Sequence, residues 1–181
     1  MLLRREKVLF AKFDVPPDIK DRHYMVGDEK VVAYDKKGNR ITLKEHKELY
    51  PYYLNNTVEC IIVTSVREIR FTIKKGYVWN GADIPKIVWS VVGSQHNPEF
   101  RQASMVHDYM LEYKWLIYTP PLSNEISVAE FRRLTSLGFR QYLKNDNVGP
   151  IKSSFMSGLV QWFQSTINRK EWRENENKCL L

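Results

Sequence analysis

His107 and Asp108 are adjacent side chains that can bind a metal or move a proton, and Glu112 lies one helical turn beyond Asp108. Phe100, Ala103, Val106 or His107, Met110 and Leu111 recur at helical spacing and predict a helix over residues 99–114, started by Asn97 and Pro98. On such a helix His107 and Asp108 point about 100° apart, whereas Asp108 and Glu112 share a face. Two carboxylates so placed repel unless a metal, a proton or a basic side chain stands between them. His107, beside Met105 and Val106, suits a hydrogen-bonded core position, a metal ligand or general base, or a partner contact.

A metal site needs three or four ligands. His96, His107, Asp108, Asp83 and Glu130 are the side chains available. In a metal-dependent hydrolase acting on cell-wall material, His107 is the ligand or general base and Asp108 a second ligand or orienting acid. Glu130 and Asp83 complete that candidate catalytic set. Trp79, Trp89, Tyr109, Tyr113 and Trp115 then line a cleft, although such residues equally fill a core between sheet and helices. The sequence has no HExxH zinc motif, GxSxG elbow, Walker loop or dinucleotide fingerprint. It assigns no particular metal or cofactor.

The elements that must position these groups divide the chain. Residues 31–34 and 40–43 flank an Asp-Lys-Lys-Gly-Asn turn and predict a hairpin. A short helix is expected within residues 44–53. Residues 58–66 are rich in β-branched side chains and predict a strand, and Ile69, Phe71 and Ile73 alternate with polar residues in a second. Lys75 and Gly76 turn the chain into a short strand at residues 77–79. Gly81 supplies a positive φ, and Asp83 caps a short helix that starts at Pro85 and closes at Gly93. Ser127 and Glu130 have capping-box spacing ahead of a helix over residues 128–143. A last amphipathic helix covers residues 152–167, with Phe155, Leu159, Trp162 or Phe163, and Ile167 on one face. Gly158, in its middle, weakens it or permits close helix contact.

The order Gly76-Tyr77, Asn80-Gly81-Ala82-Asp83-Ile84-Pro85, Trp89 and then His107-Asp108-Tyr109 resembles the domain of unknown function 1353 family of phage and prophage proteins. The resemblance covers about residues 70–165. The family pattern usually has Asp where this chain has Asn80 and Ser where it has Asp83. It implies a phage setting and no defined activity. If the family Asp acts as an acid or ligand, Asn80 removes that role here, or Asp83 restores the charge from a shifted place.

The 181 residues suit one domain with arms and need no disulfide. Cys60 reads as a buried free thiol, and Cys179 has no CxxC or CxxH partner. The net charge of +7 is spread along the chain, compatible with a basic soluble protein, an acidic protein partner or a nucleic-acid surface. No stretch is apolar enough for a membrane span. The expected fold is α+β, with a small antiparallel sheet in the N-terminal half packed against a mainly helical C-terminal half. Residues 1–30 form an N-terminal arm with one short strand at residues 7–13, residues 31–168 a single domain and residues 169–181 a polar tail. The expected role is a phage structural or interaction protein, associated with virion or tail, made in the host cytoplasm and bound to other phage structural proteins. The alternatives are the hydrolase described above and a host-directed binding protein.

Overall fold

The strand expected at residues 58–66 is the centre of the structure. In the computed structural model, which describes residues 6–22, 32–81 and 97–166, it forms β6 (Val58–Thr64). Val58, Cys60, Ile61, Ile62 and Thr64 are buried, as a strand covered on both sides requires. β1 (Val8–Phe13) and β7 (Glu68–Ile73) flank it, both antiparallel. In β7 the alternation is clean: Ile69, Phe71 and Ile73 point inward and their neighbours outward. Burial pushes the Cys60 thiol pKa up, so it sits in the core as a small apolar group.

A second antiparallel sheet joins β2 (Ile19–Asp21), β5 (Tyr52–Leu54) and β8 (Val78–Trp79) in the order β2-β5-β8. β1 is the short strand expected in the N-terminal arm, and β2 is a second strand from the same segment. β5, just beyond Pro51 where the expected short helix was to end, is a strand the sequence did not mark. Its three residues pair on both sides, and Tyr52 and Leu54 are buried. The expected hairpin forms from β3 (Val32–Tyr34) and β4 (Arg40–Thr42), with Gly38 at φ 84°. It leads into α1 (Leu43–Leu49), capped by a reciprocal Thr42–Glu45 box.

The second half is helical. Pro98–Phe100 is a 3-10 turn that opens into α2 (Arg101–Glu112). Tyr113 interrupts the helix expected to continue to residue 114, and short turns follow as α3 (Lys114–Ile117) and α4 (Leu122–Glu125). α5 (Val128–Asn145) begins at Ser127, whose hydroxyl accepts from the Glu130 N–H, and α6 spans Pro150–Thr166. The capping box is half made, because the Glu130 carboxylate turns to Arg133 instead (2.5 Å).

α5 binds the helices to the main sheet. The Tyr142 hydroxyl donates to the Lys12 carbonyl (2.9 Å) and the Asn145 amide to the Ala11 carbonyl (2.8 Å). Gly138 makes the approach possible, since a Cβ there would lie 2.7 Å from Ile62 Cδ1. At Gly158, by contrast, an added Cβ would meet nothing within 4 Å among the described residues. α6 seats Ser153, Met156, Ser157 and Gln164 inward, and the Ser157 hydroxyl donates to the Ser136 carbonyl (2.8 Å). The apolar face expected of this helix is thus partly on its outside: Phe155 and Trp162 are exposed.

The expected fold class holds: the N-terminal antiparallel region packs against a C-terminal helical region. The helix expected after Pro85, with Asp83, Trp89 and Gly93, lies outside the described residues, as do His96, Cys179 and the tail at 169–181.

Asp146 ends α5 beside the first turn of α2, where the Ala103 N–H bonds its carboxylate. Burial outweighs that bond and raises its pKa to about 7, and its Oδ2 has no hydrogen-bond partner among the described residues. A carboxyl pKa raised on folding adds stability below the unfolded value and loses it as pH rises through the folded one. Asp146→Asn is expected to leave stability unchanged at pH 4 and to raise it by about 1–3 kcal/mol at pH 8. Urea unfolding at the two pH values measures this.

Candidate functional site

The α2 helix carries Ser104, Asp108 and Glu112 at intervals of four, so the three project from one face. That face meets the end of β8. Gly76 (φ 93°) turns the chain out of β7, and Gly81 (φ 95°) turns it away after Asn80. Between the two glycines, Tyr77, Trp79 and Asn80 each meet one of the polar side chains on the helix. Trp79, fully buried, donates its indole N–H to the Ser104 hydroxyl (3.2 Å). The Asn80 amide, oriented to satisfy its neighbours, donates to Asp108 Oδ2 and to the Gly81 carbonyl, each at 3.3 Å. The Tyr77 hydroxyl donates to Glu112 Oε2 (3.2 Å).

His107 points instead toward the other helices. Its ring packs against Phe139 of α5 (centroids 5.2 Å apart), and its Nε2 lies 2.6 Å from Gln164 Nε2 of α6. With the amide donating, Nε2 accepts, and the ring proton sits on Nδ1, facing Asp108 Oδ1 at 3.5 Å. His107 is 6% exposed. Of the roles open to it in the sequence, the geometry matches the hydrogen-bonded core histidine.

The repulsion between Asp108 and Glu112 is met by the third of the expected means, a basic side chain. Lys36 Nζ, at the tip of the β3–β4 hairpin, lies 2.5 Å from Glu112 Oε2 and 3.4 Å from the Tyr77 hydroxyl. Burial, followed by the charges of Asp108 and Glu112, raises the Tyr77 pKa, so its hydroxyl stays protonated and acts as a donor. Tyr77, Tyr109 and Tyr113 pack ring against ring here, with centroids 4.6–6.3 Å apart.

The candidate set does not assemble as one cluster in the described residues. His107 and Asp108 are together. Glu130 pairs with Arg133 at the start of α5, nine residues and about 13 Å along that helix from the Phe139 turn that His107 touches. Asp83 lies outside the described residues. Among the described residues, no three His, Cys, Asp or Glu side chains group to hold a metal ion. The aromatics divide: Trp79 is core, while Tyr109, Tyr113 and Trp115 are partly exposed. Sequence reasoning missed Lys36 and Gln164, which lie 76 and 57 residues from their partners and in no shared motif.

The Asn80–Asp108 contact is testable. Asn80→Asp sets two carboxylates against each other, raising the pKa of the pair. Stability should fall by about 1–3 kcal/mol at pH 8 and recover as pH drops toward 5, when one proton is shared. Equal loss at both pH values would show that the amide is not facing the carboxylate.

A family model described as a protein of unknown function (DUF1353) matches residues 57–160, more than half of the 181 residues. No curated protein and no solved structure matches the chain. The matched residues hold β6 to β8, α2 and α5, and with them the Tyr77, Asn80, Asp108 and Glu112 contacts just described. The chain belongs to the DUF1353 family, which is associated with phage and prophage proteins.

Proposed function

We propose that this chain is a binding component of a phage particle, docked through the outer face of α6 onto an apolar helix of another phage structural protein. The observation that carries this reading is the exposure of Ile151 (86%), Phe155 (44%) and Trp162 (57%). With Gly158 they fall at positions 151, 155, 158 and 162, a 4-3-4 spacing that puts all of them on one helical stripe. Exposed apolar patches of this kind mark interaction surfaces. Gly158, open on its outer side, leaves a hole into which a knob from a facing helix fits. The spacing selects a helix as the occupant, since it repeats the seam by which two helices pack.

The region around His107 supports binding over catalysis. Its ring nitrogens face Gln164 and Asp108, and Glu112 is neutralised by Lys36. The charge of +7 favours acidic partner surfaces in a particle, and synthesis in the host cytoplasm followed by incorporation fits the family's association.

Mass spectrometry of gradient-purified particles tests it. The chain should be present at a fixed copy number. The Ile151→Ser, Phe155→Ser, Trp162→Ser variant should stay folded, because all three side chains are exposed, and should be depleted by about tenfold or more. Absence of the wild-type chain from particles, or undiminished incorporation of the folded variant, defeats the reading.

A further inference from the structure

The chain leaves the second sheet at Asp21 and returns to it at Tyr52, and those two residues are paired neighbours. The backbone closes there, with the Arg22 N–H donating to the Pro51 carbonyl (2.6 Å). What lies between is an excursion, whose described part is the β3–β4 hairpin and α1. Among the described residues, the hairpin strands pair only with each other. Its tip is stiff: Asp35 accepts from the Lys37 and Asn39 N–H groups and from the Asn39 amide, at 2.7–2.9 Å. That turn presents Lys36.

Lys36 ends in a cage built from several separate elements. Its ammonium lies 4.8 Å from the Tyr77 ring centroid and 5.4 Å from that of Tyr50, and it bonds Glu112 at 2.5 Å. Its backbone N–H donates to the Tyr50 hydroxyl (3.1 Å). Tyrosine faces with a carboxylate are the recognition chemistry of an ammonium ion. The pair is about one-third exposed on each side, so solvent and solutes reach it. The cage draws on two parts of the chain: Tyr77 and Glu112 lie inside residues 57–160, which match the family, whereas Tyr50 and Lys36 itself lie outside them.

We propose that this cage is a binding site for the primary ammonium of a lysine side chain on a protein partner, and that Lys36 occupies it in cis as a displaceable plug. The ammonium of the incoming lysine takes the place of Lys36 Nζ against Glu112 and Tyr77, and the hairpin tip releases. No covalent step is involved. This site is separate from the α6 face, and either can fail without the other.

The test uses Nα-acetyl-lysine methylamide as the probe and the tyrosine ring signals of the full chain in NMR as the readout. In Lys36→Met the signals of Tyr77 and Tyr113 should shift saturably. The wild type, in which the tethered lysine competes, should bind the probe about tenfold more weakly. The uncharged Nα-acetyl-norleucine methylamide should have no effect, and adding Glu112→Gln to Lys36→Met should abolish the response. Lys36→Gln, with its amide in place of the ammonium, provides a second folded background in which the same gain is expected. No saturable shift in either folded Lys36 variant, equal affinity in variant and wild type, or an equal response to the norleucine probe overturns the proposal.

Discussion

The α2 helix is largely buried and carries Ser104, His107 and Asp108, and the elements packed on it bring partners to those three side chains. Ala103, Met105, Val106 and Met110 drive it into the core. Ser104, His107 and Asp108 go in with them, and a buried polar group without a partner costs about 1–3 kcal/mol. Each approaching element therefore brings a partner: Trp79 from β8 to Ser104, Asn80 from the following turn to Asp108, Gln164 from α6 to His107. At the exposed end, Tyr77 and Lys36 do the same for Glu112. These contacts tie β8, the turn after it, the β3–β4 hairpin and α6 to α2.

That constraint also describes how the His-Asp pair is held. A catalytic base needs access to substrate and a proton-accepting atom free to reach it. His107 is buried with its Nε2 against Gln164 and its Nδ1 toward Asp108. What the fold leaves open lies elsewhere, on the outer stripe of α6 and in the tyrosine cage filled by Lys36. Both are surfaces suited to holding another molecule. The proposal of a protein that works by contact rests on these two surfaces, and the chain's family is associated with phage and prophage proteins.

Much of the local structure was legible in the sequence because local chemistry determines it. The Asp35–Asn39 turn with Gly38, the alternation of β7 and the Ser127 cap each have a cause within a few residues. The shared face of Asp108 and Glu112 follows from helix geometry, and so does their need for a partner. The identity of that partner does not, because Lys36 arrives through tertiary folding. β5 was hidden for a related reason: three residues carry too little pattern to mark a strand, and pairing to β2 and β8 holds it. In α6, apolar spacing was visible, but the side that faces inward carries Ser157, whose hydroxyl bonds the Ser136 carbonyl of α5, and the buried Ser153. The two glycines show the same limit, since only the contact with Ile62 distinguishes Gly138 from Gly158.

The most direct test of this account is a double-mutant cycle between His107 and Gln164, using Leu at each position and urea unfolding as the measure. If the pair is a structural contact that ties α2 to α6, each single change strands a buried polar partner, and the double change strands neither. The two single losses should then exceed the loss in the double variant by about 1 kcal/mol or more. Losses that add to within about 0.5 kcal/mol would contradict the claim that matched polar groups on α2 organise the fold.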